Sequence, residues 1–274
     1  MKYFFLIILI VFWAIKSLAQ EHLIEFVTVP KGWYWVGSKN DVANPKRKVY
    51  TEGFQISKYE ITNNQFNSFV LATGYKTTAE LKHTARIYRK NSPEYYWHRD
   101  TSASWRYPQG RNMAGLDSLL NHPVTCVTIH DARAFCEFYG LKLPGFDEWE
   151  IACRAKGKSE YHWGKSHKKA RQYANIWHAK NHTVEDVSDG YAFTAPVGSF
   201  KPNAWGLFDM AGNVFELCEG TLPRDSPRTA HARGGSWWCS LYSCRFFNCV
   251  DIGSYVDDAA FSNIGFRVIK PNTK

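Results

Sequence analysis

The 274-residue sequence has no glycine-rich phosphate loop and no dinucleotide fingerprint. Its ten histidines include no His-x-x-x-His helix pair with a catalytic glutamate. Gly-Gly-Ser236 lacks the strand-turn-helix setting and partner histidine of a nucleophile elbow. These absences set aside nucleotide-driven chemistry, zinc proteolysis and serine hydrolysis. There is no internal repeat, linker or low-complexity tract, so a single domain is expected. Beyond residue 19 no apolar run is long enough to span a bilayer, so no stable membrane insertion is expected. The basic residues are scattered, with short clusters such as Lys46-Arg47-Lys48, and read as a solvated surface rather than a nucleic-acid face.

What is present is an ordinary globular mixture, 45% hydrophobic and 22% charged, with aromatics high at 16% and eleven tryptophans. The chain opens MKYFFLIILIVFWAIKSLAQ. Lys2 is positive, residues 3–15 are apolar, and Ser17-Leu18-Ala19 is a small-x-small cleavage site. Residues 1–19 thus read as a signal peptide and residues 20–274 as the mature domain. Cleavage removes Lys2 and Lys16 and takes the net charge from +9 to +7. Export leads to the periplasm or the exterior in a bacterium, and to the ER lumen or the exterior in a eukaryote. It permits disulfides. The seven cysteines are an odd number, so any disulfide scheme leaves a thiol over.

Residues 26–38 alternate apolar and small side chains around a turn and predict a hairpin, and residues 54–59 predict another strand. Thr62-Asn-Asn-Gln65 is a capping box; Phe66, Phe69 and Val70 follow on one helical face, and Gly74 stops the helix. Residues 75–121 show no periodicity, and an excursion of that length is functional or held by something else. Thr128-Ile-His-Asp131 opens a second helix that Gly140 ends, and residues 147–154 predict a third. Residues 160–270 are rich in Gly, Asn and aromatics. The sum is an irregular, loop-rich α+β fold.

Five segments stand in order: Tyr59-Glu-Ile-Thr-Asn-Asn-Gln-Phe66, His122-Pro-Val124, Leu143-Pro-Gly-Phe-Asp-Glu-Trp-Glu150, Asn203-Ala-Trp-Gly-Leu-Phe-Asp-Met-Ala-Gly-Asn-Val-Phe-Glu216 and Arg233-Gly-Gly-Ser-Trp-Trp238. The chain closes with Asn263-Ile-Gly-Phe-Arg267. Together they resemble the formylglycine-generating enzyme family, or sulfatase-modifying factors, over roughly residues 26–269. The resemblance implies a C-type-lectin-like fold. It also implies oxidation by O2 of a cysteine in a Cys-x-Pro-x-Arg segment of an unfolded sulfatase to Cα-formylglycine. Loss of a Cβ hydrogen would give a thioaldehyde, which hydrolyses.

Cys239, Cys244 and Cys249 follow Gly-Gly-Ser at intervals of five, so Cys239 and Cys244 converge only if the segment bends between them. The resemblance makes Cys239 and Cys244 the ligands of one Cu(I), a soft ion that favours thiolates. It makes Cys244 the partner for a transient disulfide with substrate and places Ser236 in the active site. The alternative is a structural Cys239–Cys244 disulfide in a non-catalytic binding or assembly module. The resemblance also pairs Cys153 with Cys249. The family partner of Cys136 is Val268 here, which leaves Cys126, Cys136 and Cys218 unassigned.

Two structural calcium ions are likewise implied. Asn175, Ile176, Asp189 and Tyr191 match the first site, and Asp209, Gly212, Val214 and Glu216 the second. Ile176, Tyr191, Gly212 and Val214 would act through carbonyls. The alternative is that Asp189 and Asp209 are turn residues and Glu216 a solvated carboxylate. The expected substrate groove comprises Trp105, Arg106, Trp238, Ser240 and Arg245. The chain departs from the family pattern at Ser240, commonly His, and at Arg245-Phe246-Phe247-Asn248, where two arginines are missing and one is shifted. It departs again at Gly145-Phe146, where a helix-capping Thr is lost.

Overall fold

The computed structural model describes residues 24–184 and 187–271; the expected signal peptide lies outside them. Strand β1 (Phe26–Val29) leads to β2 (Gly32–Val36), β3 (Arg47–Thr51) and β4 (Phe54–Ser57). Here the expected hairpin is corrected. β1 pairs antiparallel with β4, from Phe26 opposite Ser57 to Val29 opposite Phe54, and β2 pairs with β3. Pro30 and Gly32, the latter at φ 151°, separate two strands that enter different sheets.

Helix α1 (Asn63–Thr73) starts at the Thr62 cap, with Gln65 reciprocating, and ends at Gly74 in the left-handed conformation. Its Phe66, Phe69 and Val70 are buried, as the helical spacing requires. The aperiodic excursion contains α2 (Thr78–Lys82) and the short antiparallel pair β5 (Arg86–Ile87) and β6 (His98–Arg99). Helix α3 (Ile129–Tyr139) runs between Thr128 and Gly140. Helix α4 (Phe146–Arg154) begins one residue earlier than expected; Glu148 accepts from the Gly145 N–H at 2.8 Å, which keeps half of a capping box. A single turn, α5 (Ala170–Tyr173), follows.

The remaining strands are β7 (Phe215–Cys218), β8 (Thr229–Arg233), β9 (Ile252–Val256), β10 (Ile264–Gly265) and β11 (Ile269–Lys270). They form a sheet in the order β10-β7-β8-β9, while β11 joins the opposite edge of β4 from β1. Phe66, Phe135 and Phe266 meet edge-on or stacked in the main core. A second core gathers Val36, Ile56, Trp149 and the Cys153–Cys249 disulfide. Buried ion pairs cross the interior: Glu150 holds Arg154 and Arg233, and Glu216 holds Arg267.

Candidate active site

Strand β8 leaves its sheet through Gly234 and Gly235, at φ 88° and 69°. A Cβ on Gly235 would stand 2.4 Å from the Phe247 nitrogen, so only glycine lets these two arms touch. Residues 234–249 therefore fold back on themselves. Cys239 and Cys244 come to a Cα separation of 4.5 Å with their sulfurs joined, Cys239 fully buried and Cys244 9% exposed. The Ser240 N–H donates to the Cys244 carbonyl at 3.0 Å, and the Ser240 hydroxyl accepts from the Tyr242 and Ser243 N–H groups. Ser240 is thus the staple of the turn. It is buried and does not line a groove.

Ser236 is also buried; its hydroxyl accepts from Asn263 Nδ2 at 2.9 Å, and its carbonyl accepts from the Cys239 N–H. Trp238 lies flat against His182, ring centroids 3.9 Å apart and 8° from parallel. Its indole N–H is buried with no hydrogen-bond partner. Arg245 is exposed and donates to the Leu241 carbonyl. Trp105 lies in the core rather than at a groove wall, which corrects its expected placement, and Arg106 is half-buried beside it. Trp105 is fully buried against Phe66, while Arg106 lies 4.2 Å over its ring and 3.5 Å from Glu80. A side chain of that size is worth more to the core than to a solvent-facing wall.

The excursion contributes residues that spacing alone does not flag. Glu94 accepts from the Ser243 hydroxyl at 2.5 Å and faces His182 Nδ1 at 2.8 Å. Tyr95 reaches the Ser243 hydroxyl at 2.9 Å and packs its ring 5.0 Å from that of Trp238. His182 Nε2 donates to the Trp238 carbonyl at 2.6 Å. The long loop is thus held down on the cysteine turn by hydrogen bonds and stacked rings.

At the first expected calcium site, the Asn175 amide N–H groups donate to the Phe193 carbonyl and to Asn213 Oδ1, leaving its oxygen as a donor to a cation. Asp189 Oδ1 accepts from the Tyr191 N–H, whereas Asp189 Oδ2 is buried 3.3 Å from His178 Nε2. The Asn175 and Asp189 oxygens are of the kind an oxygen-seeking ion takes, and His178 stands beside Asp189. At the second, Asp209 Oδ2 accepts from the Gly198 N–H at 2.7 Å. Glu216 is held by Arg267 at 2.5 and 2.6 Å and by the Trp149 indole N–H at 2.5 Å. The unforeseen acid is Glu60, whose carboxylate accepts from Asn213 Nδ2 at 2.7 Å. Burial, then the charges of Asp209 and Glu216, push the Glu60 carboxyl well above the usual range, and burial lifts Asp209 to about 6. Three buried acids facing Arg267 leave negative charge that a divalent cation would neutralise. Asn175 and Gly212 touch directly, since a Cβ on Gly212 would lie 2.3 Å from the Asn175 carbonyl oxygen.

A double-glycine exit that brings two cysteines together is the chemistry-bearing feature of this fold, and a family model described as the sulfatase-modifying factor enzyme 1-like domain matches residues 11–272. The chain belongs to that family. It is 32% identical to the formylglycine-generating enzyme of Mus musculus, over 89% of this chain and 74% of that one. It is 32% identical to the one of Thermomonospora curvata, over 90% and 94%. It is also 29% identical to a Bos taurus protein named inactive C-alpha-formylglycine-generating enzyme 2, over 92% and 89%. Among solved structures, PvdO from Pseudomonas aeruginosa has a TM-score of 0.66 at 21% identity, covering 90% of this chain and 94% of that one. These likenesses bear out the loop-rich α+β fold.

Within the sulfatase-modifying factor frame, the other thiols play no part in the site. Cys126, Cys136 and Cys218 are free and buried, and burial pushes each thiol far up.

Proposed function

We propose that the chain oxidises a cysteine in a Cys-x-Pro-x-Arg segment of an unfolded sulfatase to Cα-formylglycine with O2, using Cu(I) held by the Cys239 and Cys244 thiolates. The observation that carries this reading is the fold-back of residues 234–249, which delivers two sulfurs to one point beside Gly-Gly-Ser236. The relatives named as formylglycine-generating enzymes support it. Two adjacent thiolates suit a soft ion of low coordination number. When bound, Cu(I) supplies a binding point for oxygen and for the substrate sulfur.

The chain's own residues do the rest. The pair is joined in the structure, so an external thiol must open it first. Cys244 is the more exposed sulfur and the one an incoming thiol reaches, which makes it the partner for a transient mixed disulfide. Trp238 and Tyr95 pack edge to face beside the turn. In the overall balance the substrate gives up two hydrogens and two electrons, the external thiol gives two more of each, and O2 becomes two waters. A further water replaces sulfur at the thioaldehyde, and the sulfur leaves as hydrogen sulfide. Calcium at Asn175, Ile176, Asp189 and Tyr191, and at Asp209, Gly212, Val214 and Glu216 with Glu60 nearby, would staple the loops without entering the chemistry. The leader-like residues 1–19 support export of this activity; among the described residues no helix is long and apolar enough to cross a membrane.

A second reading keeps Cys239–Cys244 as a permanent disulfide in a non-catalytic binding or assembly module. The joined pair and the relative named inactive favour it. One experiment separates the two. The reduced protein, loaded with Cu(I), is incubated in air with a Cys-x-Pro-x-Arg peptide, and mass spectrometry follows replacement of the cysteine sulfur by a carbonyl oxygen. An untouched peptide, under conditions where the Thermomonospora curvata enzyme converts it, sinks the oxidase reading for that motif.

A further inference from the structure

The outer face of β2 and β3 carries the large aromatics Trp33, Trp35 and Tyr50, 61%, 56% and 44% exposed. Strand alternation sends Tyr34 and Val36 into the core and leaves both tryptophans outside, about 7 Å apart along the strand. The register sets Tyr50 opposite Trp33 and Lys48 opposite Trp35. Lys48 Nζ sits 5.4 Å over the Trp33 ring and Lys46 Nζ 4.9 Å over that of Trp35. Three adjoining aromatics of this size are more than the scattered apolar exposure of an ordinary surface.

Beside them opens a cleft of about 790 Å³, the size of a site for a short chain. Lys31, Lys39, Lys46, Lys156 and Lys158 line it, the last two just after α4. Glu160 is the one carboxylate of the lining. Arg154, also in the lining, is already tied to Glu150 at 2.7 Å and to the Gly37 carbonyl. Neither Cys239 nor Cys244 lines this cleft.

We propose that this face binds an anionic polysaccharide strand. The flat tryptophans offer platforms for the C–H faces of sugar rings, whose edges are positive against the negative ring face. The lysines offer point charges to sulfate or carboxylate groups spaced along the strand. Five lysines against one carboxylate in a recessed cleft, beside exposed indoles, suit an extended polyanion built of sugar rings. The inference is independent of the oxidase reading.

The test is equilibrium binding of the purified full chain to dextran sulfate, polygalacturonate and uncharged dextran, with oligo-dT and phosphatidylserine vesicles as competitors. Binding to one or both anionic polysaccharides and not to dextran is expected, and the two arms distinguish sulfate from carboxylate. Trp33→Ala with Trp35→Ala should weaken binding at least tenfold. Lys156→Gln with Lys158→Gln should weaken it and flatten its salt dependence. If the tryptophan variant fails to fold, the lysine variant decides alone. Equal binding to dextran, tighter binding to oligo-dT or vesicles, or unchanged binding in the folded variants overturns the proposal.

Discussion

The imidazole of His182 lies parallel to the indole of Trp238 at a centroid distance of 3.9 Å, and its two ring nitrogens face the Trp238 carbonyl and Glu94. One side chain thereby ties the residue before Cys239 to the long excursion. His182→Ala should free Trp238 and lower kcat/KM for peptide oxidation at least tenfold, with a stability loss of about 1–2 kcal/mol. Steady-state kinetics and urea unfolding measure the two separately. Loss of stability with unchanged kinetics would show a purely structural role.

Alkylating the denatured protein without reductant should modify three thiols, those of Cys126, Cys136 and Cys218. Mild reduction beforehand should raise the number to five, because the exposed edge of the turn lets thiol reach Cys244 while Cys153–Cys249 is fully buried. Cys239→Ser or Cys244→Ser should abolish peptide oxidation, and Cys126→Ala should leave it intact. Intact-mass spectrometry and the peptide assay read these outcomes.

The Cys153–Cys249 bridge spans 96 residues of sequence. Closing a loop that long restricts the unfolded chain strongly, so Cys153→Ala with Cys249→Ala should cost about 3–5 kcal/mol. The urea midpoint should fall accordingly, with the native fluorescence retained at low denaturant.

His162 is packed edge-on against Trp163 and Tyr173, and its Nδ1 is buried without a partner. Burial lowers its pKa to about 4. The folded state holds it neutral, so below about pH 6.5 the unfolded chain gains a proton that the folded one refuses. Stability should fall by about 1–3 kcal/mol between pH 6.5 and 4 from this group. His162→Phe should reduce that slope in pH-dependent denaturation curves, whereas an unchanged slope assigns it to other groups.

Calcium should raise the thermal midpoint of chelator-treated protein, and Asp189→Asn should remove most of the gain by deleting the buried carboxylate charge. Equal stabilisation of the variant would place the ion elsewhere. Calorimetry with and without calcium distinguishes these results.

The helices were readable because their stop and start signals are local: Thr62 with Gln65, Thr128 with Asp131, and the glycines at 74 and 140 act within one turn. Strand pairing was not, since β1 finds β4 across an inserted hairpin, and nothing in residues 26–38 encodes that distant partner. The cysteine turn was legible through Gly-Gly-Ser and the need for a bend. Glu94, His182 and Glu60 were missed because each acquires its meaning only from residues far away in sequence, Ser243, Trp238 and Asn213. Trp105 was misplaced for the same reason: an indole in a loop looks like a wall until Phe66 is seen beside it.

Residues 264–270 have an outsized part in closing the fold. β11 completes the sheet that β1 and β4 begin, and Arg267 answers the buried acids Glu60, Asp209 and Glu216. Without this segment the interior would hold an uncompensated acidic centre and β4 an open edge. Charge closure and sheet closure are therefore one event, set by a single short stretch of chain.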